Sequence, residues 1–194
     1  MIENIASNMM KKKDGEEVVE LYYDFQKAYD NVNHAFVEEL LDVHGFPPGV
    51  QMLVIEMMAL WKIHMSYGAK KEVGEVRLTN GIIQGDAFSP LPFFMMIDPL
   101  IKIIKRRICD GVEILSDADD LKASLSDIET VQGVHDIVKR YAASVEMAIN
   151  KKSSIQLNIQ THLPESLHDI PRMDERTRKC IGVEVKNGEV ARKE

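Results

Sequence analysis

The 194-residue chain carries 24 Lys+Arg against 31 Asp+Glu, a net charge of −7, with 45% hydrophobic and 28% charged residues. That is enough chain for one globular domain with a real core and too little for two ordinary ones, and the acidic balance is the wrong sign for a protein that holds nucleic acid through its overall charge. Cys109 and Cys180 form neither a disulfide framework nor a zinc spacing, Met1-Ile2-Glu3-Asn4 does not open a signal peptide, and Phe88 to Ile104 contains Pro90, Pro92, Asp98, Pro99 and Lys102, so the sequence reads as an intracellular protein with reduced thiols and no membrane span.

Residues 1–17 read as the end of a polar helix running into the turn Lys13-Asp14-Gly15. Val18 to Tyr23 is β-prone and delivers Asp24 at its end. An amphipathic helix follows, with Phe36, Val37, Leu40 and Leu41 on one side and Val43 at its margin, and Gly45, Pro47 and Pro48 end it. A second helix from about Val50 to Lys62 is rich in Met and Leu, and its methionines read as adaptable core filler. Ile63 to Tyr67 and Val76 to Leu78 read as strands around the loop Gly68 to Gly74. Ser89 as N-cap with Pro90 at the first helical position starts a helix toward Lys105-Arg106-Arg107, whose basic end complements the macrodipole and reads as solvated.

Val112, Ile114 and Leu115 on one side, and Leu121, Ala123 and Leu125 on the other, predict two short strands joined by an acidic turn that holds Asp117, Asp119 and Asp120. Carboxylates packed this closely repel one another, and a divalent cation relieves that repulsion; the alternative is a solvated turn, since Asp is an ordinary turn residue. Mg²⁺ suits hard oxygen ligands. Asp24 at the end of a neighbouring strand completes a set able to hold two ions roughly 3.5–4 Å apart, the spacing of in-line phosphoryl displacement. Beyond it, Ser126-Asp127-Ile128-Glu129 has capping-box spacing and opens a helix to about Ser144, with Val131, Val134, Ile137, Val138 and Tyr141 as its buried stripe. A strand from Ile155 to Ile159 follows, then a polar loop from Thr161 to Lys179, and Ile181 to Val185 with Asn187-Gly188 and Glu189-Val190 signal a terminal hairpin.

The run Tyr23-Asp24-Phe25-Gln26-Lys27-Ala28-Tyr29-Asp30-Asn31-Val32-Asn33-His34 resembles the first palm motif of reverse transcriptases of non-LTR retrotransposons. Gly81 to Pro90 (Gly-Ile-Ile-Gln-Gly-Asp-Ala-Phe-Ser-Pro) resembles the second, Asp117-Ala118-Asp119-Asp120-Leu121 the third, Asn150-Lys151-Lys152-Ser153 the lysine-bearing fourth, and Lys179-Cys180-Ile181-Gly182-Val183 the segment that grips the primer. The motifs stand in the family's order across about Val18 to Val185.

The resemblance implies an α+β polymerase palm over residues 1–194, an antiparallel sheet backed by helices near 90–107 and 127–144, and RNA-directed DNA synthesis by two-metal nucleotidyl transfer. Asp24 and Asp119 would be catalytic and ligate Mg²⁺ or Mn²⁺, with the backbone carbonyl of Phe25 as a further ligand and Asp120 as accessory carboxylate. Tyr29 would block a ribose 2′-hydroxyl, Gln84 and Gly85 would lie against the incoming nucleotide and template, and Lys152 would sit near the departing pyrophosphate. The implied partners are an RNA template, a DNA primer and deoxynucleoside triphosphates, with a nuclear or cytoplasmic location. Three departures run against the family pattern: Asp117 replaces an aromatic or aliphatic residue, Ile83 stands where arginine is frequent, and most of the fingers and the thumb fall outside the match. They support an alternative, a truncated or degenerate retroelement remnant that folds without polymerising. A palm-fold nucleotidyl cyclase fits less well, because the Gln84-Gly85 to Ser89-Pro90 pattern serves template and nucleotide placement.

Overall fold

The computed structural model describes residues 18–67, 71–108, 112–117, 120–151 and 154–157, and the shorter stretches 165–168, 172, 178–180, 183–186 and 189–190. They fall into two compact units: one takes in the chain up to Gln26, Leu100–Ser144 and the chain from Ala148 on, the other Lys27–Pro99 with Val145–Met147. The polar helix and turn expected within residues 1–17 lie outside the described residues.

The first unit is built on an antiparallel sheet in the order β4 (Val112–Asp117), β5 (Asp120–Leu125), β1 (Val19–Gln26), β6 (Ala148–Ile149), with β7 (Ser154–Leu157) also paired to β1. The two strands flanking the acidic turn thus form as expected, and β1 runs past Asp24 to Gln26 instead of ending there. Alternate side chains of a strand point to opposite faces. On one face Leu21, Tyr23 and Phe25 of β1 and Leu121, Ala123 and Leu125 of β5 are buried, and the helix layer supplies Leu100 and Ile104 of α3 (Pro90–Arg107) and Val131, Val134 and Val138 of α4 (Glu129–Ser144). This is the antiparallel sheet backed by helices that the pattern predicts. The capping residue of α4 is Asp127, not Ser126: its Oδ1 accepts from Thr130 N at 2.8 Å, which moves the cap one residue along the chain. Ile137 sits at the margin of the buried stripe, and His135 and Ala142 join it.

In the second unit Asn33 caps α1 (His34–Val43) by accepting from Phe36 N, and α1 buries Val37, Leu40 and Leu41 while Val43 is 79% exposed. Pro48 starts α2 (Pro48–Ala59), consistent with its fixed φ and missing N–H. Only Val54 and Met58 of α2 are buried, so the reading of its methionines as core filler holds for Met58, while Met52 and Met57 are exposed. β2 (Lys62–Tyr67) pairs with β3 (Lys71–Arg77) around an irregularity at Met65/Ser66, so most of the stretch expected as a loop is strand. Residues of α3 up to Pro99 belong to this unit.

Toward the C-terminus, β8 (Arg178–Cys180), β9 (Val183–Lys186) and β10 (Glu189–Val190) form a separate antiparallel sheet. β9 and β10 are the expected terminal hairpin; its Asn187-Gly188 turn, and the end of the strand expected to reach Ile159, lie outside the described residues.

Candidate active site

Pairing of β1 with β5 puts Asp24 directly opposite Asp120, at the end of a register that begins with Val19 opposite Leu125. Asp120 is in turn opposite Asp117 across the acidic turn. Asp119 and Lys152, expected as a metal ligand and as the group near the pyrophosphate, lie outside the described residues. Phe25 is among the most completely buried side chains, so only its main chain is available to a ligand.

Like charges directly across a strand pair destabilise a sheet unless something offsets them. The hard oxygen donors of Asp24 and Asp120 fit Mg²⁺ or Mn²⁺ by their chemistry. Among the described residues no group of three or more His, Cys, Asp or Glu converges on a metal position.

The pairing also brings in groups that pattern reading did not single out. Asn150, next after β6, donates from its backbone N to the Asp24 carbonyl at 2.7 Å and from Nδ2 to Asp24 Oδ2, also at 2.7 Å. It stands inside the fourth motif, but its contact depends on β6 pairing Ile149 with Phe25. Two residues before Asp24, Tyr22 lies opposite Lys122. Lys122 Nζ meets Glu20 Oε1 at 2.7 Å, with both side chains nearly buried, and lies 5.4 Å from the Tyr22 ring centroid. By strand alternation Glu20, Tyr22, Lys122 and Asp24 share the face opposite the helices.

On the helix side, Tyr23 Oη and His135 Nδ1 are 2.9 Å apart and their rings stack. Burial raises the Tyr23 hydroxyl pKa well above its usual value, with Asp136 adding to the effect. Burial lowers His135, helped by Lys139 and partly opposed by Asp136. The strand that carries Asp24 is therefore fixed from both faces by buried polar contacts.

Tyr29, Gln84 and Gly85 belong to the second unit. The segment 29–34 and the loop that opens the second motif are zipped together: Ile82 N donates to Tyr29 O, Gly81 N to Val32 O, and His34 Nε2 to Gly81 O at 2.7 Å. Gly81 has φ +82, and a Cβ there would come 3.0 Å from the Asp30 carbonyl oxygen, so any side chain at this position is strained by the backbone and tight against Asp30. Ser89 does not cap α3 with its side chain; the hydroxyl instead donates to Ile83 O at 2.6 Å, while its carbonyl accepts from Phe93 N. Asp86 Oδ1 accepts from Phe88 N, and Gln84 and Gly85 stand exposed at the turn between these anchors. Tyr29 is half-buried and stacked on Phe93 at 5.1 Å, which fixes the plane of its ring.

A helix-backed antiparallel sheet with acidic residues paired across its central strands is a polymerase palm. The chain belongs to the reverse transcriptase (RNA-dependent DNA polymerase) family, whose model matches residues 2–185. Among solved structures it is similar to the apo telomerase of Candida tropicalis truncated from its C-terminal domain (TM-score 0.71, 13% identity, 98% of this chain and 39% of that one). It is also similar to the telomerases of Candida tropicalis (TM-score 0.69, 9% identity, 97% of this chain) and Candida albicans (TM-score 0.59, 12% identity, 98% of this chain) in complex with a fragment of telomeric RNA, covering 33% of each. At these identities the likeness is one of fold. No curated protein sequence matches the chain significantly.

Proposed function

We propose that the chain is the palm of an RNA-directed DNA polymerase of the non-LTR retrotransposon type. The observation that carries this reading is the register of Asp24 against Asp120 at the end of the central strand pair, inside a family match that spans residues 2–185. Asp24, Asp119 and the Phe25 carbonyl hold Mg²⁺ or Mn²⁺, and Asp120 adds a nearby carboxylate. The chemistry that a bound divalent cation would supply here is a lowered pKa of the primer 3′-hydroxyl and charge relief on the α-phosphate and the departing pyrophosphate. Asp24 and Asp119 set the distance between the reacting groups, Gln84 and Gly85 support nucleotide and template, Tyr29 excludes a ribose 2′-hydroxyl, and Lys152 meets the leaving group. An RNA template is supported by the family's description as RNA-dependent DNA polymerase, and a DNA primer with deoxynucleoside triphosphates is proposed with it.

A second reading, a retroelement remnant without polymerase activity, is favoured by Asp117, which departs from the family's residue type at a position the register sets opposite Asp120. Labelled-primer extension on an RNA template with Mn²⁺, at low salt, separates the two. Extension by the wild type that Asp24→Asn and Asp119→Asn both abolish supports the polymerase; no extension, even with a basic duplex-binding segment appended to the chain, supports the remnant.

A further inference from the structure

We infer that Asn150 is a positioning residue for Asp24, holding its carboxylate in the orientation a divalent cation needs. This rests on the reading of Asp24 as a metal ligand.

Two hydrogen bonds run from Asn150 to Asp24. Asn150 N donates to the Asp24 carbonyl and Asn150 Nδ2 donates to Asp24 Oδ2, each at 2.7 Å. The first continues the pairing of β6 with β1, where Ile149 lies opposite Phe25, so the main chain of residue 150 is placed by the sheet itself. The second fixes the rotation of the carboxylate: a bond to one oxygen from a short side chain anchored on the neighbouring strand leaves few torsional alternatives. A carboxylate accepts and does not donate, so the amide nitrogen, not the amide oxygen, faces Asp24.

The residue type fits this task better than its alternatives. Lysine or arginine could hold the carboxylate as firmly but would cancel the charge that attracts a cation. Aspartate would only accept and would repel it. Asparagine supplies a donor without net charge, so the bound oxygen keeps its negative charge for the metal. Partners of this kind, one step removed from the ion, typically change metal affinity by about 10- to 100-fold when removed.

The geometry also supplies a clean variant. Asn150→Ala deletes the side-chain bond and leaves the backbone N–H that donates to the Asp24 carbonyl, so the β1–β6 pairing survives. Asn150→His returns an N–H donor near the position of the amide nitrogen. Mn²⁺ titration calorimetry on the full chain, with circular dichroism to verify folding, should show Asn150→Ala binding about 10- to 100-fold more weakly than wild type and Asn150→His recovering part of the loss. Independently of any Asn150 variant, exchange of the Asn150 side-chain amide protons, read by NMR without metal, should be slow in wild type and faster in Asp24→Ala. Wild-type affinity in Asn150→Ala, in a protein where Asp24→Asn abolishes binding, overturns the inference and leaves the metal reading standing. Amide exchange indifferent to Asp24→Ala also overturns it. If wild type and Asp24→Asn both fail to bind Mn²⁺, the metal reading of Asp24 falls and the inference falls with it.

Discussion

Gly81 and Gly85 occupy the same motif and both have positive φ, yet they answer to different constraints. At Gly85 an added Cβ meets nothing within 4 Å, so an alanine there carries only backbone strain, about 1 kcal/mol. At Gly81 the Cβ would press on the carbonyl oxygen, Cα and carbonyl carbon of Asp30, main-chain atoms that yield less readily than the end of a flexible side chain. Gly81→Ala should therefore cost about 2–4 kcal/mol of stability, adding displaced backbone to the strain of a positive φ. Urea unfolding of both variants would check the contrast, and equal losses would refute it. The motif pattern drew attention to Gly85 because of its place beside Gln84. The requirement at Gly81 comes from a contact with a residue far back in the chain, which no local pattern encodes. Asn150 is the same case: its type and motif were visible, but its aim at Asp24 depends on β6 lying beside β1.

Strand β1 owes its rigidity to polar contacts on both faces, and each makes a separate prediction. The Glu20–Lys122 pair is almost fully buried, and Tyr22 packs beside it. Removing one partner leaves the other charge buried without this ion pair, so Glu20→Leu or Lys122→Met alone should cost about 3–5 kcal/mol, while Glu20→Leu with Lys122→Met together should cost far less than their sum. Denaturant unfolding of the three variants completes the cycle; a double variant as unstable as the sum of the singles would show that the pair is not a unit. On the other face His135 has its pKa lowered from the ordinary 6.5, chiefly by burial. The folded chain then keeps His135 neutral at a pH where the unfolded chain protonates it, so the unfolded state binds more protons. This contribution is complete above pH 6.5 and is lost as pH falls below it toward the depressed folded pKa. Unfolding free energy of the wild type should fall more steeply as pH drops below about 6.5 than that of His135→Phe; parallel curves would remove His135 from the account.

At this scale the sequence was largely readable, because periodicity reports burial: α4, β1 and the β4–β5 hairpin lie where their apolar patterns predict. It was less readable where no pattern favours one side. α2 is apolar around most of its circumference and buries only Val54 and Met58. β3 extends back through Gly74 and Glu72 to Lys71, inside the expected loop Gly68 to Gly74, because pairing with β2 carries these residues into strand geometry. Buried Glu20 and Lys122 were invisible as a pair until the register set Tyr22 opposite Lys122.

Across the whole molecule, net charge sets a limit on what the palm can do by itself. With 31 acidic against 24 basic residues, the long-range field opposes a nucleic-acid duplex, although a metal-bound acidic turn would offset part of it locally. Orienting the reacting groups supplies a large share of a polymerase's rate, and orientation requires the primer-template to stay bound long enough to react. Among the described residues the run Lys105-Arg106-Arg107 at the end of α3 is a short exposed basic cluster, and the chain spans 39% and 33% of the telomerase chains it resembles. Each phosphate neutralised by Lys or Arg makes binding fall more steeply with salt, so a chain making few such contacts should bind weakly throughout. The 194-residue chain alone should then give little or no primer extension at physiological salt, with weak Mn²⁺-supported addition appearing as salt is lowered. Appending a basic duplex-binding segment to the chain should raise extension at physiological salt while leaving its dependence on Asp24 and Asp119 unchanged. Fluorescence anisotropy with a labelled RNA–DNA duplex, run alongside primer extension over a salt series, reads both quantities. Robust, processive synthesis by the chain alone would show that the acidic balance is no barrier and that the palm grips its duplex through contacts other than net charge.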